Sequence, residues 1–369
     1  MAEPWYLVDD INKIDSPALL IYKDRVQHNI ALAIQIIGDA GRLRPHVKTH
    51  KSAEATKLML QAGITKFKCA TISEAEMLAQ CGAADVLLAY QPTGPKIGRL
   101  LKLIRQYPGV HFSCMVDSLD VVKAIAAAAV SQALEMNIFL DVNIGMNRSG
   151  VMPQDAGLLY RACNELKGIK VVGLHGYDGH INDTDLAIRK QRADDAYNKL
   201  KYVQEDLQAN GFAQPVLVAG GSPTFTIHAQ RKDVECSPGT FVYWDRSYQQ
   251  LFPDLGFLPA TLVLCRVVSI VNETRICIDL GHKSIASENA LDRRVYFLNA
   301  QEVKPVAHSE EHLVVETTIA NGYKIGDVLY GMPYHVCPTC ALYDSAYVIE
   351  NGKVREEWQM VARDRKILI

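Results

Sequence analysis

What most restricts the fold of this chain is a change of hydrophobic period that repeats along its first two thirds. Short apolar runs fall at 43–47 (LRPHV), 66–70 (KFKCA), 85–90 (DVLLAY) and 110–116 (VHFSCMV), then at 137–143 (NIFLDVN), 171–176 (VVGLHG), 215–221 (PVLVAGG) and 233–237 (DVECS). Between them lie longer amphipathic stretches such as SAEATKLMLQAG, SEAEMLAQCG and AIRKQRADDAYNKLKYVQEDLQANG. A period near two gives way to one near 3.6 and back again, which is the pattern of βα units feeding a parallel sheet. Eight such runs, most followed by a helix, predict a (β/α)8 TIM-type barrel. A doubly wound open sheet competes, but no G-x-G-x-x-G turn follows an early strand. Ser73, with Glu76 three residues on, is the expected cap of one helix, and Asn210-Gly211 the close of another.

After about residue 245 the helical stretches stop. ATLVLCRVVSIV, TRICIDLG, RVYFLN, EEHLVVETT, DVLYGMP, SAYVIENGKV and EWQMVAR read as strands, with turn residues such as Asn351-Gly352 between them. The expected organisation is a barrel over 13–245 and a β domain over 246–369, which residues 1–12 are free to join.

Charge and composition narrow the partners. A net charge of −2 on 369 residues, 22% of them charged, offers no electrostatic footing for nucleic acid or an anionic membrane surface. No run approaches the roughly 20 apolar residues of a membrane span, and MAEPWYLVDDINKID lacks the basic-then-apolar order of a secretory signal. Nine cysteines, an odd number, sit mostly in apolar runs such as LVLCRVV, which reads as reduced thiols and a cytoplasmic protein.

A βα barrel carries its chemistry at the C-terminal ends of its strands. The first run ends at His46-Val47-Lys48, and side chains two apart share a face, so His46 and Lys48 are expected to project together. The seventh and eighth runs lead into Gly220-Gly221-Ser222 and Ser237-Pro238-Gly239-Thr240, glycine turns with hydroxyls of the kind that hold phosphate at this place in a barrel. A lysine opposite such a cradle suits an imine with pyridoxal 5'-phosphate, its amine acidified by burial or by cations such as His46 or Arg44. A solvated basic loop is the other reading of RPHVKTHKS. Later, His335 and Cys337 stand two apart in GMPYHVCPTC, where one extended segment would aim both at a divalent metal, zinc above all; a buried structural pair is the alternative. Cys337-Pro-Thr-Cys340 lacks the strand-to-helix setting of a redox motif and has no second C-x-x-C to complete a zinc knuckle.

LRPHVKTHK, KFKCATISEAEML, GMNRSG, HGYDGH, GGSPT, ECSPGTFV, DLGHK, SEEHLVVE and HVCPT together resemble the D-threonine aldolase / D-serine dehydratase family, pyridoxal-phosphate enzymes of alanine-racemase-like fold, and the aldolase branch most. The resemblance spans nearly the whole chain. It implies Lys48 as the imine-forming lysine, Arg148 on the cofactor's phenolic oxygen, and Tyr177 lining the cofactor and substrate site. Gly220, Gly221, Ser222, Gly239 and Thr240 would take the phosphate, and His335 and Cys337 a divalent metal (Zn, Mn or Mg) beside the 3-hydroxyl of a D-amino acid. A homodimer is also implied. Cys337 departs from the aldolase pattern, since some aldolases of the group carry aspartate there and its dehydratases carry cysteine. Retro-aldol cleavage of a D-3-hydroxy amino acid is therefore the first expectation. Dehydration of D-serine or 3-hydroxy-D-aspartate is the second, racemisation without metal the third, and a non-catalytic cofactor carrier the fourth.

Overall fold

The computed structural model describes residues 4–318 and 322–369. Residues 1–3, from the segment free to join the β domain, and residues 319–321 within it lie outside the described residues. The described residues divide into two compact units: those within 4–32, 49–55, 240–318 and 322–363 form one, and 33–48, 56–239 and 364–369 form the other. They do not follow a single cut at 245: residues 13–32 and 49–55 belong with the sheet-rich unit, and the last six residues with the barrel.

The first strand of the chain, β1 (Ala18–Tyr22), belongs to the sheet-rich unit. The barrel unit holds β2 (Lys66–Cys69), β3 (Asp85–Leu88), β4 (His111–Val116), β5 (Met136–Val142), β6 (Ile169–Gly176), β7 (Val216–Ala219) and β8 (Val234–Cys236). These seven are parallel and in sequential order. The run at 43–47 is the eighth stave, although it forms only isolated bridges, Leu43 to Cys236 and His46 to Lys68. Arg44 N–H donates to Cys236 O (2.8 Å) and His46 N–H to Pro238 O (3.0 Å) on one side; Val47 N–H donates to Lys68 O (2.9 Å) on the other, where Lys68 N–H returns a bond to Pro45 O (2.8 Å). Pro45 has no N–H to give, so the stave closes the barrel with a broken ladder.

Alternation then fills the interior in layers. At the N-terminal end Arg44 is almost wholly buried, with Asp85 gripping its guanidinium at 2.6 and 3.1 Å and Glu235 at 2.8 Å. Its side chain is thus spent on a structural ion pair. An apolar layer follows, of Leu87, Met115, Phe139 and Val218. Phe139 occupies space that any side chain on β6 would take: a Cβ on Gly173 would lie 2.4 Å from its ring. Above that layer, toward the C-terminal ends, the same faces present Lys68, Asp141, His175 and Ser237.

Helix boundaries follow capping chemistry. Thr71, not Ser73, caps the helix Ile72–Gln80: its hydroxyl accepts from Glu74 N–H at 3.0 Å, and Glu74 reaches back to Ala70 N–H at 2.6 Å. Ser73 lies inside the helix, fully buried. Asp185 caps the 24-residue helix Leu186–Ala209 by accepting from the Ala187 and Ile188 N–H groups, and Gly211 beyond its end has φ +84°. The C-terminal residues are fastened to the barrel by Arg99, which donates to Ile369 O, and by Glu76, which accepts from Leu368 and Ile369 N–H.

In the sheet-rich unit, β9 (Thr261–Asn272), β10 (Arg275–Ile278), β11 (Val295–Phe297), β12 (Lys304–His308), β13 (Leu313–Glu316), β14 (Val328–Pro333), β15 (Ser345–Glu350) and β16 (Lys353–Gln359) join β1. The order is β12-β13-β10-β9-β1-β15-β16, with β14 also on β9 and β11 on β14. β1 is buried along its length between β9, antiparallel, and β15, parallel. Asn351 and Gly352, both at positive φ, turn β15 into β16, as a tight hairpin demands. None of the nine cysteines is in a disulfide. No helix among the described residues is long and apolar enough to cross a membrane.

Candidate active site

In the barrel unit, Lys48 is exposed at the end of the first stave, and its N–H donates to His46 Nδ1 at 3.4 Å, so the imidazole is turned toward its own backbone. Tyr177, just past β6, faces two cations: the Arg148 guanidinium lies 5.1 Å and Lys68 Nζ 5.6 Å from its ring centre. The two turns after β7 and β8 are tied together, because Gly239 N–H donates to Ser222 Oγ at 3.2 Å.

A buried carboxylate props the first turn. Asp178 accepts from Gly221 N–H at 3.2 Å and pairs with His228 Nε2 at 2.8 Å, while Arg231 lies 2.6 Å from His228 Nδ1. Burial opposes the charge on Asp178, but His228 and its other donors hold its pKa below the ordinary carboxylate value. Gly220 has φ +81°, and a Cβ there would meet the His228 ring at 3.0 Å; a Cβ on Gly221 would meet the Tyr177 ring at 3.2 Å. Glycines at both places leave open the approach that an anion on this turn needs. Arg148 and Lys68 at the Tyr177 ring, which Gly221 approaches, fit the charge of pyridoxal phosphate.

Two residues of this region, Lys68 and Asp141, carry no signal in sequence spacing, whereas His175 opens the HGYDGH motif at the end of β6. Lys68, on β2, is buried; its Nζ donates to Ser237 Oγ at 2.9 Å and lies 3.3 Å from His175 Nε2. Asp141 Oδ1 lies 2.7 Å from His175 Nδ1, and its other oxygen accepts from Ser149 Oγ at 2.8 Å. Burial works against the Asp141 charge too, yet His175, Ser149 and Lys68 hold its pKa down. Burial, then Lys68, lowers the pKa of His175, which is neutral at pH 7. An ionised Asp141 fixes the tautomer: Nδ1–H donates to the carboxylate, and Nε2 is left to accept from Lys68.

In the sheet-rich unit, HVCPTC is not one extended segment. Val336–Cys340 is a short helix, and His335 is its extended N-cap, with φ −134° and ψ 101°. The two side chains nevertheless meet, and His335 bonds to Cys337. His335 Nδ1 also bonds to Glu288, from the polar segment 279–290. Burial opposes a charged His335, but Cys337 and Glu288 outweigh it and raise the pKa to about 9. Cys337 Sγ lies 3.1 Å from Thr49 Oγ1 and 3.7 Å from Thr240 Oγ1. Thr240 therefore lies against the thiol, in the 3-10 turn Thr240–Val242. Asp245, buried with its pKa pushed up to about 6 by that burial, accepts from Val336 N–H at 3.1 Å and fixes the start of the helix. Among the described residues no three His, Cys, Asp or Glu side chains group to hold a metal ion; His335 and Cys337 are a pair.

A barrel ending in glycine turns, with a lysine beyond its first stave and a sheet-rich unit after it, is the alanine-racemase-like architecture. Residues 21–247 match the alanine racemase N-terminal domain, and residues 260–349 the putative serine dehydratase domain. The chain belongs to the D-threonine aldolase / D-serine dehydratase family of alanine-racemase-like proteins, and is an enzyme of the lyase class. It is 27% identical to a 3-hydroxy-D-aspartate aldolase of Paracoccus denitrificans, over 96% of this chain and 94% of that one. It is 26% identical to a D-threo-3-hydroxyaspartate dehydratase of a Delftia species, over 95% and 98%. The crystal structure of a D-threonine aldolase from Filomicrobium marinum shares the fold, with a TM-score of 0.88 over 98% of this chain and 99% of that one at 24% identity.

Proposed function

We propose that this enzyme cleaves D-configured 3-hydroxy amino acids to glycine and an aldehyde, using pyridoxal 5'-phosphate and a divalent cation. The observation that carries the reading is the bonded pair His335 and Cys337, because a pyridoxal-phosphate barrel alone serves racemisation equally well. Imidazole and thiolate leave positions open for water and substrate on a bound cation.

Lys48 would anchor the cofactor, Arg148 and Tyr177 would line it, and Gly220, Gly221, Ser222, Gly239 and Thr240 would receive its phosphate. Bound there, the cofactor would supply an electron sink for bonds at the substrate Cα, and a cation held by His335 and Cys337 would lower the pKa of the 3-hydroxyl. A base takes the hydroxyl proton; the Cα–Cβ bond breaks, its electron pair passing to Cα as the carbonyl forms at Cβ. Protonation of Cα completes glycine. Glu288, bonded to His335, orients the imidazole as a carboxylate orients a metal-binding histidine. Thr49 and Thr240 both touch the Cys337 thiol.

A dehydratase is the second reading, favoured by cysteine rather than aspartate at 337. In it Lys48 removes the Cα proton and the 3-hydroxyl departs as hydroxide. D-Threonine separates the two: glycine with acetaldehyde supports the aldolase, whereas 2-oxobutanoate with ammonia replaces it by the dehydratase. Turnover of D-3-hydroxy amino acids that is unchanged after chelation refutes the metal-assisted reading.

A further inference from the structure

We propose that Lys68 is a positioning residue of this lyase, a proton-exchanging amine that acts through His175 and Ser237 to set the charge beside Tyr177. The part concerning turnover rests on the lyase reading above; the part concerning proton exchange does not.

The case begins with cost. An amine sealed inside a barrel is less favourable than a methionine of similar volume, so packing gives no reason for nitrogen at this place. Lys68 is 3% exposed, above the apolar layer of Leu87, Met115, Phe139 and Val218. Both hydrogen-bond acceptors of Lys68 are uncharged, the Ser237 hydroxyl and His175 Nε2. The relay's carboxylate, Asp141, is reached through the His175 ring. A protonated Lys68 therefore places a positive charge against a neutral imidazole, and a neutral Lys68 keeps both bonds without it.

Four charged neighbours bear on that balance. Asp141 on β5 and Asp178 after β6 favour the ammonium; Lys48 and Arg44, from the first stave and its end, oppose it. Burial is the largest influence, and it brings Lys68 down to about 7. Both forms are thus populated under ordinary conditions, next to an aromatic ring that also carries Arg148. Ser237 lies between β8 and the Gly239 turn, so the bond from Lys68 reaches the cradle as well.

The test is nitrogen NMR of the His175 imidazole in cofactor-free protein between pH 6 and 9, on wild type, Lys68→Met and Lys68→Arg. The wild-type Nε2 resonance moves with a midpoint near neutrality; it is flat in both variants, because methionine never carries the charge and arginine never loses it. A flat wild-type resonance, or a movement that survives in Lys68→Met, overturns the proposal. The wild-type arm stands even if a variant fails to fold. With cofactor bound, kcat/KM of Lys68→Met falls about 10- to 100-fold and loses the matching limb of its pH profile. A folded Lys68→Met with an unchanged profile refutes the role in turnover. The NMR step without any cleavage of D-3-hydroxy amino acids refutes the substrate reading alone.

Discussion

Replacing Lys68 by methionine removes a group whose folded and unfolded proton affinities differ widely, so its effect on stability must change with pH. In the folded protein the amine titrates near 7, against an ordinary value of 10.5, chiefly through burial. Below about pH 7 it is protonated in both states, and the folded state bears the full cost of the buried charge. Between roughly pH 7 and 10.5 the unfolded chain binds a proton that the folded protein has released, so folding stability rises with pH. Each pKa unit is worth about 1.4 kcal/mol. Summed over both states, wild type gains about 2 kcal/mol relative to Lys68→Met between pH 7 and pH 9. Urea unfolding of the cofactor-free proteins at the two pH values measures the difference, and the free cysteines cancel because both proteins carry them. Working above pH 7 also keeps His175 neutral. A stability difference that stays level across this range, or one that moves the other way, refutes the claim that Lys68 is a largely desolvated amine.

Lys48→Ala is expected to abolish the visible band near roughly 410–420 nm that a lysine-bound pyridoxal phosphate gives; a surviving band means that another amine is the anchor. His335→Ala and Cys337→Ala each remove cleavage of D-3-hydroxy amino acids while that band remains, and turnover retained in both dismisses the metal pair. Asp178→Ala leaves the buried His228 and the Gly221 N–H without their acceptor, and costs about 3–5 kcal/mol of stability by denaturant unfolding. A loss below about 1 kcal/mol would show that the turn stands without its prop.

The chain's local periodicity determined the barrel staves, the amphipathic helices and most strands of the second region. That information is local, because hydrophobic period and turn residues act over a few neighbours. The glycine turns, Lys48 and the His335–Cys337 pair stand out in the sequence for a similar reason, since each is a short pattern of chemically distinctive residues. What stayed hidden depends on closure. KFKCA reads only as a strand, and it is the closed barrel that brings Lys68 to His175, 107 residues away in sequence. Capping put the helix start at Thr71 rather than Ser73, because the Thr71–Glu74 box captures the free N–H groups first. ALLIY at 18–22 lies beside the barrel sequence but pairs with β9 and β15, and Glu288 meets His335 from a segment of no marked pattern. Sequence alone sets which residues are able to form strands and which side chains are reactive. Which strand lies beside which, and hence which charges share a buried interior, is decided by long-range pairing, where the energy lies in contacts between residues that no local pattern relates.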